Sequence, residues 1–259
     1  MANNDPSCSA ERPPLRGRLY RKRYIVPNAV TVGSMFCGFL SIIYASSERF
    51  DKACIAIAIA ILLDGLDGRV ARRLNATSKF GVEFDSLSDL ISFGVAPAML
   101  AYYWCFKQKM QADEFGVLIA FIYVICAASR LARFNISDVA LKSFTGLPSP
   151  AAAGTVAAVV NAFLILPTGE WVVAAVSALM LTLGYLMVSK IEFFSIKQLQ
   201  LKTIPLRVRL GVGALIALIW YTPKFGMLVF ITIYVLSGPL NTVSIWRNRN
   251  GLPKKETVH

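Results

Sequence analysis

The apolar residues of this chain neither alternate strictly nor keep to one narrow stripe. They gather into runs of about twenty, separated by short polar breaks. Eight runs stand out, at about 26–46, 53–74, 85–106, 115–134, 150–167, 171–189, 208–222 and 224–246. A helix of that length crosses a hydrocarbon core about 30 Å thick, and it satisfies its own backbone there. The pattern predicts an all-α polytopic membrane bundle of about eight transmembrane spans. The seventh run is the shortest and ends beside Pro223. The bundle occupies 25–246, which leaves no room for a second domain. The first 24 residues are polar and proline-rich (Pro6, Pro13, Pro14) and are expected to be largely disordered; 247–259 is expected to be a solvated basic tail. The first apolar run is longer than a signal-peptide core and lacks a clear small-residue cleavage site, so it is expected to be a retained span.

Composition agrees. Hydrophobic residues make up 56% of the 259 and charged residues only 16%, against about a quarter in an ordinary soluble domain. The net charge of +12 invites a nucleic-acid reading, but its distribution speaks against one. With the N-terminus placed in the cytoplasm, 22 of the 27 Lys and Arg fall on inner segments. Only Arg49, Lys52, Lys107, Lys109 and Lys224 fall outside. This is the positive-inside asymmetry of a polytopic protein, here expected in the cell (inner) membrane, with some attraction to anionic head groups. No aromatics interleave the basic residues as stacking platforms for bases would require, so no nucleic-acid partner is expected. The five cysteines (8, 37, 54, 105 and 126) have no metal-knuckle spacing and read as small packing residues. The one histidine is the terminal His259. Acid–base work therefore falls to carboxylates.

Carboxylates occur where lipid is expected. The second run ends Asp64-Gly65-Leu66-Asp67-Gly68-Arg69-Val70-Ala71-Arg72, and the third opens Gly81-Val82-Glu83-Phe84-Asp85-Ser86-Leu87-Ser88-Asp89. Positions 64, 67, 68 and 71 share one helical face, as do 81, 85, 88, 89 and 92 on the next helix. Both faces are polar or small, the inverse of a hydrophobic stripe. The short connection 73–80 makes these helices antiparallel neighbours whose acidic faces converge on the cytoplasmic side. At 1.5 Å rise per residue, Asp64 and Asp67 lie about 4.5 Å apart along the axis, and Asp85 and Asp89 about 6 Å. Four uncompensated carboxylates repel one another and are costly to desolvate. Hard divalent cations relieve this, because Mg²⁺ and Mn²⁺ prefer oxygen ligands, and two such metals form a clamp for displacement at phosphorus. Gly68 and Gly81 leave space for a bulky ligand. Two rival readings stay open: an ion-pair network with Arg69, Arg72, Arg73 and Lys79, and a cation pathway through the bundle.

The residues Asp64, Asp67, Gly68, Ala71, Arg72, Gly81, Asp85 and Asp89 fit Asp-x2-Asp-Gly-x2-Ala-Arg-x8-Gly-x3-Asp-x3-Asp throughout. In this the chain resembles the CDP-alcohol phosphatidyltransferase family. Further similarity lies in Pro27-Asn28-x2-Thr31, Ser129-Arg130-Leu131-Ala132-Arg133-Phe134-Asn135, Gly146-Leu147-Pro148-Ser149-Pro150-Ala151-Ala152-Ala153 and Ser189-Lys190-Ile191. These segments look most like the branch that uses serine as its alcohol, the bacterial and archaeal-type phosphatidylserine synthases. The resemblance implies a six-helix core plus two spans, and metal-dependent transfer of a phosphatidyl group from CDP-diacylglycerol to L-serine. Glycerol 3-phosphate, inositol and inositol phosphate are the rival acceptors. It implies metal ligation by Asp64, Asp67, Asp85 and Asp89 (a two-metal Mg²⁺ or Mn²⁺ site), with Asp89 also the general base. Asn28, Thr31, Asp64, Gly68, Arg72 and Gly81 would meet the CDP moiety. Arg133, with Arg130 and Lys190, would meet the acceptor, although interfacial anchoring also explains such residues. A homodimer is likewise implied by the family alone.

Overall fold

The computed structural model describes residues 15–74, 79–107, 114–136, 146–165 and 170–189, with Ile191 and Gly226. All regular structure among them is helical. Helix α1 is Leu15–Ser46 and α2 is Phe50–Leu74. Helix α3, Lys79–Asp89, continues through a π-helical segment, Leu90–Val95, into α4, Ala96–Ala101, and a second π segment, Tyr102–Phe106. Then come α5, Glu114–Ile136, α6, Ser149–Ala162, and α7, Glu170–Val188.

Four stretches are long and apolar enough to cross a membrane: Asn28–Ser46, Phe80–Phe106, Glu114–Ile136 and Trp171–Val188. They match the first, third, fourth and sixth runs, and the protein is an integral membrane protein. Helix α2, at 25 residues, is also long enough, but Asp64, Asp67 and Arg69 make its inner end too polar to count as plainly apolar. The fifth run is shorter than expected. Helix α6 has 14 residues, about 21 Å at 1.5 Å each, and stops at Ala162. Phe163 leaves helical space there (φ −122°, ψ 55°), and the Trp104 indole donates to its carbonyl at 3.0 Å. Pro167, a little further on, cannot extend a helix. The helix of residues 15–46 also begins ahead of the apolar run at 26. The seventh run, the eighth apart from Gly226, the tail 247–259 and residues 1–14 lie outside the described residues.

Packing in the bundle inverts the soluble pattern. On α1 the exposed positions are Val32, Phe36, Phe39 and Ile43, while the buried ones are Thr31, Ser34, Ser41 and Ala45. Lipid tails are as apolar as leucine, so close backbone approach and hydrogen bonds hold membrane helices together instead. Gly38 shows how close: an ideal Cβ there would lie 2.7 Å from Ser92 Cα. Helix α1 packs extensively on α2, and the rod from α3 to α4 leans on α1 more than on α2. Helices α2 and α3 meet through their acidic side chains, with α1 packed against both. Phe93, Ala96, Leu100, Trp104, Phe106, Tyr123, Met180 and Leu183 fill the core beneath.

Candidate active site

Helix α2 brings Asp64 and Asp67 to the end of the bundle where α3 begins. Asp67 is 4% exposed, and Asp64, Asp85 and Asp89 are half-buried. Oxygens of Asp64, Asp67 and Asp85 all lie within 4.8 Å of one another. At an effective dielectric of about 20, each pair of charges at that spacing repels by about 3–4 kcal/mol. Asp85 Oδ1 is buried with no hydrogen-bond partner, so this carboxylate has an unmet acceptor. Three convergent carboxylates with an orphaned oxygen fit a hard divalent cation. Asp89 is outside this trio and stands beside Asp64.

Helix α1 sets the gap between the two acidic helices by a two-rung ladder. In the first rung Ser88 Oγ donates to the Thr31 carbonyl (3.1 Å) and Thr31 Oγ1 donates to Asp67 Oδ2 (3.0 Å). In the second, Ser92 Oγ donates to the Ser34 carbonyl (3.1 Å) and Ser34 Oγ donates to the Ala60 carbonyl (3.0 Å). Each α1 hydroxyl reaches α2 while its own carbonyl receives a serine from the α3 rod. Below Asp89 the rod widens into the π segment, where Ala96 N–H bonds back to the Ile91 carbonyl. Pro97 has no N–H to offer the Phe93 carbonyl four residues earlier, and the buried Tyr123 hydroxyl donates to that carbonyl at 3.3 Å. Wider turns of this kind recur at functional sites.

The C-terminal end of α5 is tied to three neighbours. Arg130 Nη1 donates to Ser149 Oγ of α6 (2.8 Å), and its charge also attracts Asp64 and Asp89. Arg133 Nη1 donates to the Val188 carbonyl at the end of α7 (2.8 Å), where a cation complements the carbonyl end of a helix. Asn135 Nδ2 donates to Glu83 Oε2 and its Oδ1 receives Ser86 Oγ, both at 3.1 Å.

A profile of the CDP-alcohol phosphatidyltransferase family matches residues 24–188, well over half of the chain. The chain belongs to this family. Its similarity extends to a CDP-diacylglycerol–serine O-phosphatidyltransferase of Helicobacter pylori, 40% identical over 83% of this chain and 90% of the relative. The enzyme of that name from Bacillus subtilis is 38% identical over 65% of this chain and 89% of its own. The archaetidylserine synthase of Methanothermobacter thermautotrophicus is 36% identical over 65% and 69%.

Of the residues that the family motif singles out, the structure gathers Asp64, Asp67, Asp85 and Asp89 and sets Arg130 by them. Thr31, expected on the nucleotide, is buried and donates to Asp67. Asn28, Gly68 and Gly81 are half-buried near the same end. Arg133 is exposed and engaged with α7. Arg72 lies on α2 with its side chain outside the described part, and Lys190 is outside the described residues. Sequence reasoning places Ser88 and Ser92 on the polar face of the third run and Ser149 within a segment of family similarity, but gives none of them a role. Their partners on other helices carry no signal in sequence.

Proposed function

We propose that this family member transfers the phosphatidyl group of CDP-diacylglycerol to L-serine, forming phosphatidylserine and CMP. The observation that carries the reaction class is the convergence of Asp64, Asp67 and Asp85, with one Asp85 oxygen buried and unpartnered. The names of the relatives support serine as the acceptor. Asp64, Asp67 and Asp85 would hold the divalent cations, Mg²⁺ or Mn²⁺, with Asp89 sharing a second. Such ions, when bound, neutralise the diphosphate and the charge growing on the leaving group. Thr31 orients Asp67 by donating to its Oδ2.

Asp89 takes the proton of the serine hydroxyl. The hydroxyl oxygen forms a bond to the phosphorus carrying the diacylglycerol, while the bond from that phosphorus to the bridging oxygen breaks and CMP departs. Arg130 is the guanidinium that attends the carboxylate cluster, and it binds the serine carboxylate as a planar fork. Arg133 ties the end of α5 to the end of α7, and Lys190 is a further proposed contact for the acceptor. Asn28, Gly68, Arg72 and Gly81 line the path of the nucleotide. The site faces the cytoplasm of the inner membrane in an eight-span bundle, and the protein acts as a homodimer; the charge split supports the orientation, and family membership the dimer.

The test is CMP release by purified protein with CDP-diacylglycerol, Mg²⁺ or Mn²⁺, and each of L-serine, glycerol 3-phosphate, inositol and inositol phosphate. Serine should exceed the others by at least tenfold. A better rate with another alcohol removes the serine assignment and keeps the reaction class. No release with any of them returns the cluster to a cation pathway.

A further inference from the structure

Arg130 has a partner that the transfer chemistry does not use. Ser149 Oγ accepts its Nη1 at 2.8 Å, and Ser149 is fully buried at 0% exposure. Ser149 opens α6 between Pro148 and Pro150, so two fixed φ angles hold its backbone. The preceding turn is pinned as well. Gly146 N–H donates to the Ile191 carbonyl (2.8 Å) and Leu147 N–H to the Leu186 carbonyl (3.0 Å). Gly146 sits at φ +87°, and an ideal Cβ there would lie 2.5 Å from the Met187 carbonyl oxygen. Only glycine lets this turn close against the end of α7. The Ser149 hydroxyl is therefore a short donor–acceptor on a rigid mount. An arginine stem has four torsions and loses much rotamer freedom when fixed. A mounted partner removes part of that loss before a substrate arrives, which is pre-organisation in the ordinary sense.

We propose that Ser149 is a positioning residue, fixing the Arg130 guanidinium beside Asp64 and Asp89 so that it receives the carboxylate of an amino-acid acceptor. The choice of acceptor rests on the function proposed above, whereas the positioning does not.

Two measurements on the purified full chain separate them. The first needs no substrate: an arginine-selective dicarbonyl reagent, with labelled peptides read by mass spectrometry. Arg130 should react at least fivefold faster in Ser149→Ala than in the wild type, with Arg133 unchanged. Ser149→Thr, which keeps the hydroxyl, should react like the wild type. Ser149→Cys keeps the buried volume but accepts hydrogen bonds poorly and should resemble Ser149→Ala, so a misfolded alanine variant does not end the test. The second is steady-state kinetics. Ser149→Ala should raise the serine KM about tenfold, with kcat and the CDP-diacylglycerol KM within twofold, and Ser149→Thr should recover most of the loss. Equal Arg130 labelling in Ser149→Cys and wild type overturns the proposal. So does a joint fall of kcat and both affinities, which marks a merely structural serine. If the wild type does not use serine but Arg130 labelling moves as stated, the acceptor is wrong and the positioning role stands.

Discussion

At the residue scale, the gathering of the four aspartates was legible because carboxylates inside apolar runs are costly and draw together where the cost can be shared. Their proposed division of labour came from the family resemblance and not from helical spacing. The structure adds that Asp89 stands outside the trio of Asp64, Asp67 and Asp85. The proposed division makes a contrast. Asp89→Asn should cut kcat by about 10²–10⁴-fold, the usual worth of a general base, with CDP affinity within a few-fold of the wild type. Asp85→Asn, which alters the orphaned oxygen, should instead raise the divalent-cation concentration needed for half-maximal activity by at least tenfold. A metal titration of turnover in both variants checks this, and equal metal dependence in the two would contradict the assignment. The arginines were legible as a pair but not as individuals. Arg130 turns to Ser149 and the carboxylates, and Arg133 turns to the end of α7, a choice made by the packing of α5 against α6 and α7. Arg130→Ala should therefore raise the serine KM about tenfold to a hundredfold, since a hydrogen bond to a charged group is worth about 1.5–3 kcal/mol. Arg133→Ala should change it less and lower thermal stability instead, as read by steady-state kinetics beside a melting curve.

At the element scale, the apolar runs located the four membrane-crossing stretches among the described residues to within about five residues, because a span of that length has one economical conformation in lipid. The first helix nevertheless begins well ahead of its run. The π segments were invisible, since a one-residue widening hardly alters hydropathy. Pro97 was the one available sign: a proline within an apolar run frees the carbonyl four residues back, and the partner for Phe93 came from another helix. The short α6 was missed for a related reason, because an apolar composition persists beyond the point where the backbone turns away at Phe163. The contact between α1 and the α3 rod also rests on backbone proximity that no composition reveals. Gly38→Ala tests it. The added methyl would meet Ser92 Cα at 2.7 Å, and backbone cannot step aside as a flexible side chain does. The substitution should destabilise the bundle by about 1–3 kcal/mol, the usual cost of overpacking, seen as a lower midpoint of thermal inactivation in detergent. The same change also pushes Ser92 off Ser34 and so disturbs the rung below Asp67. Activity should then fall even at temperatures where the variant is fully folded. A variant as stable and active as the wild type would mean that the two helices are less tightly joined than this contact requires.

At the scale of the whole molecule, charge and chemistry point the same way. The carboxylate cluster lies where α2 ends and α3 begins, and Arg69, Arg72, Arg73 and Lys79 flank that junction in sequence. The end of α5 with Arg130 and Arg133 and the start of α6 with Ser149 come to the same side of the bundle. The opposite end carries the turn between Ser46 and Phe50 and the Lys107–Tyr103 contact, with the ammonium 5.1 Å from the ring centroid. A cation over an aromatic ring suits a membrane–water boundary. The proposed orientation, with the carboxylate side in the cytoplasm where water-soluble serine is at hand, rests on the sequence-based expectation that 22 of 27 basic residues lie on inner segments. Single cysteines introduced into a chain lacking its native five check this directly. Positions 76 and 256 should resist a membrane-impermeant thiol reagent added to intact cells and react once the membrane is opened. Position 48, exposed in the turn between Ser46 and Phe50, and position 110 should react from outside in both cases. Labelling of 76 in intact cells would turn the carboxylate cluster outward, away from its proposed acceptor, and an active enzyme in that orientation would require the acceptor to be drawn from the other compartment.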